Sequence, residues 1–451
     1  MLVETKTYLQ VFMTFSVNGQ LPRSKKNSRN FISVENALVT LFSSFNVPKM
    51  NSKRVEYASL LESNGRVLGE DLYSPMNVPP FNRSDRDGFA VSSSGTVNAS
   101  PHSPIHLRII GKGLAGEREM MHLIRKGQAL EIATGAKLPK GADSVIMFED
   151  IAYEANDLVM ISNPVNRGDN VSHKGSDIAE KQLVLRKGTW IIPQDVALVA
   201  SMGFDRIPVV KKPKVGILAT GDELTDPGCR PLNDTSIFES NRYMVSCLVN
   251  DAGGLSVDLG LCRDDPHKIF QMLKSALKLD MIVVFGGASV GQKDYTPLLV
   301  DRLGKPGLLV RGIAMKPGSP TGLGIVGNTP IIICPGFPVS AFAAFSTFGL
   351  PILSTLLGTQ GPVRAILKAR ITEDISVHKD FLTFVRVIVY RDNDKFLAKP
   401  VSASGASLIS TLTHSNGIVI VNSRTTHSSD LRRGKLVEVT LYKNIQERDG
   451  K

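Results

Sequence analysis

The chain has 451 residues, 42% of them hydrophobic and 21% charged, which excludes wholesale disorder and leads us to expect about three or four domains. An excess of 53 Lys+Arg over 42 Asp+Glu leaves a net charge of +11, a surface suited to anionic ligands. Cys229, Cys247, Cys262 and Cys334 lie scattered with no C-x-x-C pair; this argues against a disulfide scaffold or zinc site and fits a reducing, cytoplasmic compartment.

In chain order, Arg23, Lys25, Lys26 and Arg29 crowd an N-terminal extension, residues 1–32. Its apolar run 9–17 reads as a ragged piece or stray strand, because Glu4 flanks it and no A-x-A site follows. Ser33 is placed to cap a helix starting at Val34, and a second helix is expected over 55–68, before Gly69. Pro75, Pro79 and Pro80 then force an extended segment. Short strands at 105–110, 129–132, 144–148 and 158–161 imply a small β domain. From Lys211 the pattern turns to strand and helix in alternation. Strands are expected at 215–219, 255–261, 281–285, 308–314 and 331–334, and helices at 241–252, 266–277, 295–303 and 339–356. That pattern predicts a mostly parallel doubly wound sheet. Strands return at 365–371, 384–390, 417–421 and 436–441 as a terminal β domain.

The fold class expected is therefore multidomain α/β plus β. Its expected parts are the extension 1–32, an elongated region from 33–87 and 166–208, an inserted β domain 88–165, an α/β domain 209–357 and a β domain 358–451. No apolar run is read as approaching the roughly 20 residues of a membrane span, so no membrane partner is expected.

Chemistry gathers where the α/β strands end. Thr220-Gly221-Asp222-Glu223, Cys262-Arg263-Asp264-Asp265 and Gly286-Gly287-Ala288-Ser289 each follow a strand, with Asp294 further along. Ligands of open α/β sheets sit at that edge, and Glu223, Asp264 and Asp294 suit Mg²⁺ bound to a substrate phosphate. Taken alone, Asp264 or Asp265 could simply cap the helix at Pro266, but their gathering at one sheet edge favours a functional reading. The loop from Gly286 matches neither a Walker lysine motif nor G-x-G-x-x-G. Lys316, on the stiff Lys316-Pro317-Gly318 turn, is read as ending another strand of the same sheet, where it can meet an oxyanion. No H-x-x-x-H pair and no G-x-S-x-G elbow occur, so acyl-transfer hydrolysis is a poor fit. No nucleic-acid recognition motif accompanies the positive charge either.

Longer stretches resemble one family. Pro79-Pro-Phe-Asn-Arg-Ser-Asp-Arg-Asp-Gly-Phe-Ala-Val91 is similar to the P-P-F-D-x-S-A-M-D-G-Y-A-V segment of the MoeA family, the molybdopterin molybdenumtransferases, which also form the E domain of gephyrin. Ile132-Ala-Thr-Gly-Ala-Lys-Leu-Pro-Lys-Gly-Ala-Asp-Ser-Val-Ile146, Ala219-Thr-Gly-Asp-Glu-Leu224, Gly286-Gly-Ala-Ser-Val-Gly-Gln-Lys-Asp-Tyr295, Met315-Lys-Pro-Gly318 and Cys334-Pro-Gly-Phe-Pro-Val-Ser340 follow in the family's order. The resemblance spans about residues 33–443. It implies a MoaB/MogA-like α/β domain and an elongated homodimer. It also implies a Mg²⁺-dependent reaction of adenylylated molybdopterin with molybdate, or tungstate, that releases AMP.

By position, the resemblance assigns catalytic roles to Asp87, Asp177, Glu223, Asp264 and Asp294. Substrate contacts would come from Thr134, Thr220, Gly286, Gly287, Ser289, Lys316, Pro317, Arg386 and Ser404 or Ser407. The chain also departs from the family pattern. Ser319 replaces the second lysine of K-P-G-K-P, and Gly312 stands where some members have another lysine. Ser176 replaces the Glu of G-E-D, Glu131 an Arg, and Asp380-Phe381 a G-R pair. These changes thin out positive charge on the oxyanion side, and they motivate an alternative reading as a carrier that binds the pterin without transferring metal.

Overall fold

A computed structural model of the chain describes residues 4–6, 31–46, 54–117, 123–155, 157–229, 234–287, 295–362, 364–402, 405–422 and 430–447. Asp294, Ser289, Ser404 and the apolar run 9–17 lie outside the described residues. Two compact units emerge. One comprises residues 57–64 and 70–208; the other holds 1–56, 65–69 and 209–451.

The second unit is built on a six-stranded sheet in the order Leu255–Cys262, Lys214–Thr220, Met281–Phe285, Thr329–Cys334, Gly322–Val326, Pro306–Arg311. The first four strands run parallel, and the last two are added antiparallel. Its central strands are continuous Val/Ile runs because both faces are covered, as parallel sheets require. Alternation then sorts side chains by face. Ile217, Val283 and Phe285 join Val245 and Val249 of the helix Asn241–Asp251 in one core. Leu218, Ile282 and Val284 face Ile269 and Leu273 of the helix Pro266–Ala276 in another. Helices on both faces make the sheet doubly wound, as expected.

The helix expected from Val34 forms as Val34–Ser44, with the Ser33 hydroxyl accepting from the Asn36 amide at 3.2 Å. Its buried Val34, Ala37 and Leu41 pack into the first of these cores, so this helix belongs with the α/β layer. The helix expected over 55–68 does not form. Val55–Ser59 is a strand and only Leu60–Ser63 is helical. Val55 and Tyr57 favour extended backbone, and Gly65 at φ 72° closes the short turn.

A second correction concerns apolar length. The helical stretch Pro338–Leu357 is long and apolar enough to cross a membrane, yet 83% of its most apolar window is buried inside the protein. Ala341, Ala344, Phe345, Phe348, Ile352 and Leu353 all enter the main core, so it is a core helix. A π-turn at Phe345–Gly349 interrupts it just before Pro351, whose missing N–H cannot continue an α-helical ladder.

Strands Arg364–Ile371, Lys395–Ser402, Leu382–Asp392, Gly417–Asn422 and Leu436–Leu441 form the C-terminal β domain. The first also pairs with the last, giving a barrel-like closure. Leu367, Val385, Val387, Val389, Val419 and Val439 fill it.

The other unit carries the small β domain, with strand order Ser144–Met147, Gly88–Val91, Gln128–Ile132, Ile105–Gly113, Leu158–Ile161, Ile151–Ala155. Gly88 explains the Asp-Gly pair of its first long motif. A Cβ at that position would lie 1.9 Å from the Ile146 carbonyl oxygen, so only glycine lets these strands approach.

Candidate active site

The carboxyl edge of the parallel sheet holds Thr220, Glu223, Asp264, Gly286 and Gly287. Thr220 ends its strand 3% exposed, and its hydroxyl donates to the Phe285 carbonyl at 3.2 Å. That bond ties the first motif to the second. Gly286 follows at φ 96°, and a Cβ there would meet the Thr220 oxygen at 2.3 Å. Gly287, at φ 61°, would similarly collide with the Thr296 hydroxyl at 2.4 Å. These two glycines are therefore fixed by close backbone approach at the strand end. The Gly286 amide donates to the Cys334 carbonyl at 3.3 Å, and the Val339 amide to the Ala406 carbonyl at 3.1 Å. The turn carrying exposed Ser407 thus sits beside the start of the helix after Cys334.

Glu223 and Asp264 occupy neighbouring strand ends, since Thr220 pairs with Cys262 in register. The Asp264 amide donates to the Asp222 carboxylate at 3.2 Å, and the Gly221 amide to the Cys262 carbonyl at 3.1 Å. The Glu223 carboxylate folds back over Gly221, where a Cβ would be 2.9 Å from both its oxygens. Asp265, not Asp264, caps the next helix, accepting from the His267 and Lys268 amides at 3.0 and 3.1 Å. Asp264 is thereby left clear of the capping role.

Among the described residues no three His, Cys, Asp or Glu side chains are grouped to hold a metal. Two carboxylates are what Mg²⁺ commonly takes from a protein when phosphate oxygens and waters complete its octahedron. The donor set here fits a phosphate-bridged Mg²⁺ and does not fit an all-protein cage.

Lys316 is placed differently from expectation. Its strand, Met315–Lys316, pairs in parallel with Leu382–Asp392 of the C-terminal β domain, not with the α/β sheet. The chain between Arg311 and Met315 leaves the sheet edge at Gly312, φ 82°. The Lys316 ammonium lies 3.0 Å from His378 Nε2 and 5.2 Å from the centre of the Phe381 ring. The bond to the following Pro317 is cis. Arg386 lies on the same long strand as Lys316's partner Thr383 and is 2% exposed. Burial pulls its guanidinium below the ordinary arginine value, with Tyr442 opposing. Two departures find local roles: Ser319 donates to the Met315 carbonyl at 2.8 Å, and Glu131 pairs with Lys112 at 2.5 Å.

In the other unit, Asp87 accepts from the Thr134 amide at 2.8 Å, so two expected residues meet there. Asp177 is exposed, and its amide donates to the Val78 carbonyl, distant in sequence, at 3.1 Å.

The stretch Glu239-Ser240-Asn241-Arg242 went unnoticed in the sequence. Glu239, 2% exposed, accepts from the Asn241 and Arg242 amides at 2.7 and 3.0 Å. Asn241 donates to the Gly336 carbonyl at 2.7 Å, while its buried Oδ1 has no hydrogen-bond partner among the described residues. Arg242 reaches Glu239, Asp258 and Asp226. An acidic residue three positions before an arginine at a helix start was the available signal.

Comparison with known proteins identifies the regions of the chain. Residues 32–203 match "MoeA N-terminal region (domain I and II)", 216–355 match "Probable molybdopterin binding domain", and 368–442 match "MoeA C-terminal region (domain IV)". A molybdopterin molybdenumtransferase of Bacillus subtilis is 34% identical over 88% of this chain and 91% of its own length. One from Staphylococcus aureus is 29% identical over 92% of this chain and 96% of its own. The crystal structure of a molybdopterin biosynthesis MoeA protein from Pyrococcus horikoshii superposes with a TM-score of 0.77. It is 30% identical and covers 92% of this chain and 100% of that one. With three regions matched in order along the chain, the chain belongs to the MoeA family.

Proposed function

We propose that the chain is a molybdopterin molybdenumtransferase of molybdenum cofactor biosynthesis, acting on adenylylated molybdopterin and molybdate, or tungstate, with release of AMP. The observation that carries this is the strand edge, where Glu223 and Asp264 flank the Thr220–Gly286 contact. Backbone groups and small residues there admit a phosphate, and two carboxylates would hold Mg²⁺ against it. Bound Mg²⁺ would neutralise charge developing on the phosphoanhydride. The curated relatives' name supports the transferase class.

A metal-insertion assay with purified protein, adenylylated molybdopterin, Mg²⁺ and each oxyanion in turn tests the reading. AMP release that needs Mg²⁺ and is promoted by either oxyanion is the expected result. Ser319 spends its hydroxyl on a backbone carbonyl at the position of the second lysine in the K-P-G-K-P pattern the segment resembles, and this favours the carrier as second reading. Tight pterin binding without AMP release under either oxyanion would establish that reading instead. We further propose a cytoplasmic homodimer. Sedimentation at micromolar concentration is expected to show it, and a fully active monomer would refute it.

A further inference from the structure

An open cleft of about 630 Å³ lies where the α/β layer meets the C-terminal β domain, inside one compact unit. That volume suits a small organic molecule. The cleft is separate from the strand edge. The helix Asn241–Asp251 begins at that edge, where Asn241 holds the Gly336 carbonyl. The residues it gives to the cleft, Leu248 and Asp251, come about 10–15 Å further along its axis.

The facing wall is the turn that follows the strand Leu436–Leu441, and hydrogen bonds fix its shape. Asn416, 1% exposed, is its post. The Asn416 carbonyl accepts from the Tyr442 and Lys443 amides at 3.0 and 3.3 Å, and its Nδ2 donates to the Asn444 carbonyl at 3.1 Å. The Tyr442 hydroxyl bonds to that of Ser415 and donates to the Leu412 carbonyl at 3.2 Å. Lys443 Nζ donates to the Thr413 carbonyl at 2.5 Å. From the helix Pro338–Ala344, Phe342 meets the Tyr442 ring at 6.3 Å between centroids, so an aromatic contact joins the two walls. Two cations in the lining, Arg364 and Lys443, against one acid, Asp251, leave one net positive charge. Burial holds the Arg364 guanidinium below the ordinary arginine value, and a carboxylate brought to it would raise it again.

We propose that this cleft binds a small aromatic carboxylate, its head group on Arg364 and Lys443 and its ring on Leu248 and Phe342. The planar arginine fork matches the two oxygens of a carboxylate. One net positive charge suits a monoanion, whereas a phosphate dianion would also be repelled by Asp251. Leu248 and Phe342 supply the apolar surface that a ring needs and that a bare inorganic anion would leave unused. The site lies beyond the transferase reading and does not depend on it.

The test is calorimetry of the full chain near neutral pH with indole-3-acetate, tryptamine and phenyl phosphate as probes. Indole-3-acetate is expected to bind roughly tenfold or more tighter than tryptamine, which keeps the ring and reverses the charge. It should also bind tighter than phenyl phosphate. Arg364→Gln should weaken indole-3-acetate about tenfold or more. Asp251→Asn should tighten it about two- to fivefold. Asp251 is exposed and ends its helix, where a carboxylate opposes the helix dipole, so that change keeps the fold. Glu223→Gln and Lys316→Ala should leave the affinity unchanged, because neither residue lines the cleft. Indole-3-acetate that binds no tighter than tryptamine or phenyl phosphate overturns the proposal, as does wild-type protein that takes up none at about 1 mM. An Arg364→Gln protein of wild-type melting temperature and wild-type affinity overturns it too. Should Arg364→Gln not fold, Asp251→Asn decides, and an affinity it leaves unchanged is the overturning result. None of these outcomes bears on AMP release, so the transferase reading stands or falls separately.

Discussion

Glu223→Gln is expected to slow single-turnover AMP release by roughly 10²-fold or more, about 3 kcal/mol of barrier, while pterin affinity changes only a few-fold. The carboxylate is exposed at the strand end and lies back over Gly221, so the amide can occupy the same place. What the change removes is one unit of negative charge beside the phosphate. If that charge holds Mg²⁺ only as the phosphoanhydride breaks, the loss falls on turnover and not on binding. Stability should stay within about 0.5 kcal/mol, as for other exposed substitutions. The plain alternative is that Glu223 is a solvated surface charge whose backbone carbonyl, accepting from Ile237 at 2.8 Å, does all the structural work. Unchanged turnover in a folded Glu223→Gln protein would establish that alternative and remove the metal role.

Much of the α/β layer was legible in the residues because parallel strands are written as unbroken apolar runs. Met281–Phe285 and its neighbours fall where expected, and the three carboxyl-edge motifs follow from them. The short segments were harder. Val55–Ser59 has helix-like apolar spacing, but its pairing is decided by partners distant in sequence. Gly88–Val91 is only four residues long and was hidden inside a functional motif. Lys316 was misassigned to the α/β sheet because nothing in Gly312-Ile-Ala-Met315 announces that the chain crosses to another domain's strand. The His378 contact was illegible for the same reason, as were the Asp226 and Asp258 arms of the Arg242 cluster. Each depends on residues 16 to 62 positions apart being brought together by strand pairing, which no local pattern encodes.

Arg242→Met is expected to cost about 2–3 kcal/mol of stability, less than the 3–5 kcal/mol of breaking a fully buried ion pair. Its side chain is only 4% exposed, but its partners differ: Asp226 and Asp258 are 44% and 59% exposed and Glu239 is 2% exposed. The pairings with the two exposed carboxylates are screened by water and contribute little, even though burial of the guanidinium is outweighed by Asp258, Asp226 and Glu239, leaving it above its ordinary value. Glu239 dominates the loss. It would keep its two backbone donors, so the carboxylate is left partly satisfied and the cost stays below the upper range. A fall of roughly 3–5 °C in melting temperature follows for a unit of this size. The double variant Arg242→Met with Glu239→Gln removes the stranded charge, and it should recover about half of the loss or more. Catalysis should also respond, because the Glu239 amide donates to Thr225 at 2.9 Å and the Ile237 amide to Glu223 at 2.8 Å. That short ladder, Leu224–Thr225 beside Ile237–Phe238, is what fixes the loop bearing Glu223. Loosening it should lower kcat with KM for the pterin nearly constant, in a protein still folded at the assay temperature. A double variant no more stable than Arg242→Met alone would mean that Arg242 acts by packing, and that the buried charge of Glu239 is not what it neutralises.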